Sequence, residues 1–113
     1  MSMRYEKLKL KAKLFRGLGD STRLTILEIL RKKGETTASQ IVEETGQGQS
    51  NISNHLACLL DCGLVKNRRD GKNALYSLSD KKVSKLLEEG DTILSDVADR
   101  IYSCVNYNEK SKE

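Results

Sequence analysis

The sequence predicts a mainly α-helical fold with a β-hairpin wing, a winged helix-turn-helix in the order α-α-α-α-β-β-α. Apolar residues recur at helical spacing in four segments before residue 64 and in one long segment after residue 80. Between them lie two short segments of strand character separated by Asp70-Gly71, a pair that favours a tight hairpin turn. The length of 113 residues suits one domain, predicted over residues 1–106, followed by a flexible polar tail over residues 107–113.

Two helices are predicted to open the chain. Residues 5–18 have an amphipathic pattern in which Lys and Arg side chains surround an apolar face. We interpret these charges as a solvated face rather than a DNA contact, because no aromatic or small residues interleave them. A second helix is predicted from a polar N-cap within residues 20–22 to a stop at Gly34.

The next two helices are predicted to form a helix-turn-helix. Thr36 or Thr37 can cap a short third helix over residues 38–45, and the glycine-rich turn over residues 46–48 leads into the helix of residues 49–63. The apolar positions of this fourth helix form one buried stripe, namely Ile52, Leu56, Leu59 and Leu60.

The N-terminal half of the fourth helix is otherwise polar. A helix laid in the major groove of DNA presents such side chains to base edges and phosphates. The predicted DNA-binding residues of this helix are Gln49, Ser50, Asn51, Ser53, Asn54 and His55.

The predicted wing consists of residues 64–69 and 73–78 around a type I′ turn at Asp70-Gly71. Arg68, Arg69 and Lys72 cluster near its tip, where we expect contacts with the phosphate backbone. The alternative is that these charges only protect the edge strands from aggregation.

The last helix is predicted over about residues 80–105, with Asp80 as its N-cap. Its apolar residues advance by alternating steps of four and three, which draws a long narrow seam. We expect this seam to pack against the first helix, residues 5–18, and against a symmetry mate, which predicts a homodimer. The seam comprises Val83, Leu87, Gly90, Leu94, Val97, Ile101 and Cys104.

The three cysteines suggest a soft metal site. Cys58 and Cys62 lie one helical turn apart, which lets both sulfurs reach one ion but disfavours a disulfide within an intact helix. Cys104 is a candidate third ligand or a small buried residue of the dimer interface. Thiolates favour Cd(II), Pb(II), Hg(II), As(III) or Zn(II). A mixed site with His55 is geometrically conceivable, but its position suits a DNA contact better.

Composition narrows the class of protein. Twenty Lys and Arg against 16 Asp and Glu give a net charge of +4, which suits nucleic acid and equally an ordinary charged surface. The sequence lacks an apolar run of membrane-spanning length and a secretion signal, so we expect a cytoplasmic protein without a membrane partner. No constellation argues for catalysis, so an enzyme is not expected.

Several motifs resemble those of the ArsR/SmtB family of winged-helix metal-sensing repressors, over about residues 5–105. They are Gly19-Asp-Ser-Thr-Arg-Leu, Ser50-Asn-Ile-Ser-Asn-His-Leu, Arg69-Asp-Gly-Lys and Tyr76-Ser-Leu. Residues 53–65 are most similar to the CmtR-type cadmium- and lead-sensing branch. The resemblance implies that Cys58 and Cys62 bind the metal together with Cys104 of the other protomer. Gln47 and Gly48 depart from the family pattern at the turn.

The resulting hypothesis is a metal-responsive repressor. A metal-free homodimer binds double-stranded operator DNA, an imperfect palindrome, and is released when Cd(II) or Pb(II) binds as inducer. Zn(II), Hg(II) and As(III) remain alternative ions. Two other functions stay open at this point: a repressor of the same fold that senses oxidants or reactive sulfur through its thiols, and a winged-helix protein-interaction module without an operator.

Overall fold

The computed structural model describes the backbone of residues 3–111 and the side chains of residues 3–98 and Arg100. The predicted mainly α-helical fold with a wing is confirmed, and one short strand is added to it. The helices are α1 (Met3–Leu18), α2 (Ser21–Lys33), α3 (Ala38–Thr45), α4 (Gln49–Asp61) and α5 (Lys81–Ser111). The strands are β1 (Thr36–Thr37), β2 (Val65–Asp70) and β3 (Asn73–Leu78).

Capping residues determine where α2 and α3 begin and where α3 ends, as the sequence predicted. The Asp20 side chain accepts a hydrogen bond from the Arg23 backbone N–H and begins α2. Thr37 and Gln40 form a reciprocal capping box at the start of α3. Gly46 ends α3 in the left-handed conformation, at φ 70°, which glycine adopts without a steric penalty.

The sheet has three antiparallel strands in the order β1-β3-β2. β1 was not predicted, because two residues are too short to show an alternating pattern. Thr36 pairs with Tyr76 and Thr37 with Leu75, so β1 joins the helix-turn-helix to the wing. Thr37 therefore both pairs in the sheet and caps α3.

The predicted turn of the wing is wrong by one residue. Asp70 pairs with Asn73, so the two-residue loop is Gly71-Lys72 and Asp70 belongs to β2. Within this turn only Gly71 has a positive φ, at 64°, since no non-glycine residue among those described has one. A positive φ at the first loop position alone matches a type II′ turn, whereas type I′ needs it at both positions.

The core is a single cluster around α4. The α4 side chains Ile52, Leu56 and Leu59 are 0%, 1% and 0% exposed, as the predicted stripe required. They pack with buried residues of α2, α3, the start of β2 and α5. These partners are Ile26, Leu27, Leu30, Ile41, Leu64, Val65, Val83 and Leu87. The polar side of α4 is consequently turned to solvent.

α5 begins after Asp80, whose carboxylate accepts a hydrogen bond from the Lys82 N–H, as predicted. The helix continues to Ser111, past its predicted end near residue 105 and into the predicted tail, because no Gly or Pro interrupts it after Gly90. The seam positions Ile101 and Cys104 have side chains outside the described residues.

Several large apolar side chains of α1 and α5 are exposed in the monomer. Phe15 is 53% exposed and Ile93 61% exposed, and a groove lined by Phe15, Leu18, Leu86 and Leu94 runs between the two helices. Exposed apolar surface of this kind marks an interaction site. In the described part of the chain, no helix has both the length and the apolarity to cross a bilayer.

Candidate nucleic-acid interface and thiol site

The two ends of α4 carry side chains of different chemistry. The N-terminal half presents exposed polar side chains, all of them predicted DNA-binding residues, and no described neighbour covers them. These are Gln49, Ser50, Asn51, Ser53 and Asn54. The C-terminal half carries Cys58 and Cys62, both half-buried. One helix therefore holds both predicted sites.

The turn into α4 departs from the usual capping pattern. Gly48 occupies the N-cap position and supplies no side-chain hydrogen bond. Instead, the Gln47 side-chain oxygen accepts a hydrogen bond from the Asn51 side chain. Gln47, which sequence reasoning treated only as a departure, thus fixes the orientation of a predicted DNA-binding residue.

His55 differs from the other predicted DNA-binding residues of α4, because its side chain is only 19% exposed. Its Nδ1 lies 3.9 Å from Oδ2 of Asp20, the cap of α2. The pKa of the Asp20 carboxyl is lowered, first by the hydrogen bond from the Arg23 N–H and further by the positive charge of Arg23. His55 therefore lies in the polar half of α4, but the protein covers most of its side chain next to Asp20.

The wing places its three predicted phosphate-binding residues in different surroundings. The Arg68 guanidinium donates two hydrogen bonds to Glu35, at 2.5 and 2.8 Å, so it is already engaged by a carboxylate. Arg69 lies in β2 just before the turn, and Lys72 lies within its loop. Both are exposed, and the Arg69 guanidinium donates a hydrogen bond of 3.5 Å to the Lys72 carbonyl. Arg69 and Lys72 are thus the cations free of carboxylate partners at the described tip.

The Cys62 thiol lies at the contact between the end of α4 and α1. Its sulfur donates a hydrogen bond of 3.7 Å to the Lys13 carbonyl. Gly17 leaves room for it, because a Cβ on that residue would lie 3.2 Å from Cys62 Sγ. The described thiols form no disulfide, in agreement with the helical spacing argument.

An ion pair closes over the cysteine end of α4. Lys13 Nζ lies 2.7 Å from Asp61 Oδ2, which raises the pKa of the lysine and lowers that of the carboxyl. Burial raises the pKa of the Cys62 thiol, and the neighbouring Cys58 raises it further, whereas Lys13 opposes the shift. The Cys58 thiol thus lies close enough to Cys62 to influence its protonation.

No third ligand completes the thiol pair among the described side chains. No cluster of three His, Cys, Asp or Glu residues suited to a metal occurs in this part of the chain. His55 faces Asp20 instead of the cysteines. Cys104 lies on α5, and its side chain falls outside the described residues.

Comparison with known proteins identifies the family. The sequence matches the family described as bacterial regulatory protein, arsR family, over residues 20–67. It is 41% identical over 93 residues to the "Probable mercury resistance operon repressor" of Streptomyces lividans, covering 82% of this chain and 74% of that protein. The chain belongs to the arsR family of bacterial regulatory proteins. As an arsR-family member, it is a DNA-binding transcriptional regulator rather than an enzyme.

Two solved structures are similar to this chain over most of its length. The homodimeric winged helix-turn-helix DNA-binding domain of a Mycobacterium bovis protein has a TM-score of 0.79 and 26% identity, over 85% of this chain and 88% of that one. The cadmium metal-sensor CMTR of Mycobacterium tuberculosis has a TM-score of 0.60 and 40% identity, over 69% and 80%. The predicted winged-helix fold and family resemblance are thereby confirmed.

The Glu35 to Arg68 pair makes the stability of the wing depend on pH. Arg68 lowers the pKa of Glu35 from its ordinary 4.5, so the pair stabilises the folded state above that pH and ceases to do so as the pH falls through the lowered value. Glu35→Gln should slightly lower the urea midpoint at about pH 6, and this difference should shrink as the pH falls below the ordinary value of 4.5. A difference that stays constant across these pH values would contradict the pairing.

Proposed function

We propose that this arsR-family regulator is a metal-responsive repressor. The metal-free homodimer binds operator DNA, and a soft metal ion bound by Cys58, Cys62 and Cys104 releases it. Cd(II) or Pb(II) is the favoured inducer, with Zn(II), Hg(II) and As(III) as alternatives. The observation that carries the proposal is the placement of two half-buried thiols, Cys58 and the C-cap residue Cys62, at one end of the helix that carries the exposed polar surface.

The proposed DNA surface consists of the polar half of α4 and the tip of the wing. Hydrogen-bonding side chains at residues 49–51 and 53–54 suit base edges in a major groove, and Arg69 and Lys72 suit the flanking phosphates. His55 and Arg68 are also predicted DNA-binding residues. In the proposed surface, they act mainly through their contacts with Asp20 and Glu35, respectively.

The proposed dimer covers the exposed apolar side chains of α1 and α5. These helices present Leu8, Leu10, Phe15 and Ile93 to solvent in the monomer. A two-fold dimer would place two copies of α4 in successive major grooves, roughly 34 to 36 Å apart, on an imperfect palindrome. The homodimeric M. bovis relative supports this assembly.

The chemistry of the thiols fits a soft ion. Cys58 and Cys62 offer two sulfur donors on adjacent helical turns, and metal binding would displace the proton that burial favours on Cys62. Two ligands seldom suffice for a tight site, so Cys104 is proposed as the third, from the same or the partner subunit. The mercury and cadmium named for the two relatives are both thiophilic ions.

When bound, the ion supplies a cross-link between sulfur atoms. On the protein side, Cys62 would have to shift from its contact with the Lys13 carbonyl, and α4 would change its support on α1. Coupling free energies between two sites are typically about 1 to 3 kcal/mol, or 5- to 150-fold in affinity, which suffices for operator release from a dimer with two sites.

The wing tip should contribute a sequence-independent part of DNA affinity. Arg69→Gln combined with Lys72→Gln should weaken binding to operator and random duplex alike and reduce the slope of log affinity against log salt by about 2, because two phosphate contacts are lost. Fluorescence anisotropy across a salt series measures this. Lys7→Gln with Lys11→Gln on α1 makes the same charge change and should leave the slope close to wild type. Equal slopes in all three proteins would contradict a wing contact.

Each thiol should be needed for the metal response but not for DNA binding. Cys58→Ser, Cys62→Ser and Cys104→Ser should keep metal-free operator affinity within about threefold of wild type and lose most of the release by Cd(II), typically 5- to 150-fold in such systems. The measurement is operator anisotropy under reducing conditions, with Ala57→Ser as the control on the same helix.

Two results would redirect the assignment. Normal Cd(II) release from Cys104→Ser would remove that residue from the ligand set. Release of wild-type protein by peroxide or persulfide, together with no response to Cd(II) in reductant, would instead make the protein a thiol-based redox or reactive-sulfur sensor.

A further inference from the structure

The last turn of α1 approaches Leu64 and Cys62, at the cysteine end of α4, more closely than a side chain at Gly17 would ordinarily allow. Gly17 is buried, and a Cβ at this position would lie 3.0 Å from Leu64 Cδ1 and 3.2 Å from Cys62 Sγ. Four residues earlier, the Lys13 carbonyl accepts the hydrogen bond of the Cys62 thiol. Any displacement of this sulfur therefore acts on the end of α1 by direct contact.

The same turn of α1 is fastened to α2 by one arginine. Arg23 Nε donates to the Gly17 carbonyl at 3.0 Å and Nη2 donates to the Arg16 carbonyl at 2.8 Å. The Arg16 carbonyl also accepts a hydrogen bond from the Gly19 N–H at 3.1 Å, and the planar guanidinium adds a two-point contact to the carbonyls at the end of α1.

Arg23 also belongs to the contact that reaches the polar half of α4. Its backbone N–H donates to Asp20 Oδ2 at 3.0 Å, and the same oxygen lies 3.9 Å from His55 Nδ1. The His55 side chain is 19% exposed, whereas the predicted DNA-binding residues beside it are exposed. Both functional ends of α4 thus contact the same part of the protein, which consists of the last turn of α1 together with Asp20 and Arg23.

We propose that Arg23, held on the last turn of α1, couples the Cys62 thiol to the DNA-reading half of α4 through Asp20 and His55. The coupling rests on the proposed metal response. Arg23 and His55 act as positioning residues: Arg23 fixes α1 against Asp20, and His55 transmits the position of Asp20 to α4. Movement of Cys62 against Gly17 then alters the position of His55 as well as that of the cysteine end of α4.

Arg23→Lys tests this coupling while keeping the positive charge. A lysine ammonium cannot reproduce the hydrogen bonds to both carbonyls, so the end of α1 is no longer held in a fixed position on α2. Cd(II) binding, followed by thiolate charge-transfer absorption, and metal-free operator affinity should each stay within about threefold of wild type. The Cd(II)-induced loss of operator affinity should shrink at least fivefold, a factor comparable with the smallest couplings usually seen between sites.

Arg31→Lys is the matched control. Arg31 also lies on α2 and joins a second helix, through Asp91 of α5 at 3.3 Å, but it contacts neither α1 nor α4 in the described contacts. It should retain the wild-type Cd(II) response. An equal loss of response in Arg31→Lys, or a full response in Arg23→Lys, would overturn the coupling.

His55→Gln tests the far end of the path and remains informative if Arg23→Lys fails to fold. It should also reduce the Cd(II) response, measured as the ratio of metal-free to Cd(II)-loaded operator affinity of the same variant, whatever its metal-free affinity. A full Cd(II) response in a folded His55→Gln protein would overturn the role of His55. A wild-type protein that binds Cd(II) but keeps its operator would overturn the proposed function itself, together with the coupling.

Discussion

The burial of one side of α4 is the interaction on which the other features depend. Ile52, Leu56 and Leu59 are almost completely removed from solvent, and each such side chain contributes roughly 1.5 to 3 kcal/mol relative to an exposed one. Since successive helical residues turn by a fixed angle, burying this stripe also determines where the remaining side chains point. The polar N-terminal half faces solvent, and Cys62 lies against α1.

The surroundings of α4 divide its two tasks between its ends. At the N-terminal end, Gln47 and Asp20 hold side chains of the helix without covering its exposed polar surface. At the other end, the Lys13 to Asp61 ion pair and the close approach of Gly17 bring α1 against Cys62. α1 also presents the apolar residues proposed for the dimer, so a change at the thiols has a short physical route to the partner subunit.

Much of the fold was predictable because its signals are local. Capping at Asp20 and Thr37, the left-handed Gly46 and the apolar stripe of α4 all arise within a few residues, and the structure has them where the sequence placed them. The turn at Gly71-Lys72 was misplaced, since an Asp-Gly pair is compatible with a hairpin in more than one register. β1 pairs across 38 or more positions and leaves no local pattern.

The candidate site was predicted in its residue types but not in its internal contacts. Polar residues on a helix and cysteines four apart are visible in the sequence, whereas the Arg68 to Glu35 pair joins residues 33 positions apart and the Cys62 to Lys13 contact joins residues 49 apart. Such partners depend on how the helices pack, which composition and periodicity do not specify. For the same reason, His55 was assigned to the DNA surface before its approach to Asp20 was visible.

The most direct measurement is an anaerobic titration of Cd(II) into wild-type protein bound to fluorescent operator DNA, recording thiolate-to-metal absorption and anisotropy in the same sample. The proposed repressor predicts that the sulfur absorption rises and the DNA dissociates over the same range of metal-to-subunit ratio. Saturation of the sulfur absorption while the operator remains bound would contradict it, because the thiols would then hold the metal without controlling the DNA.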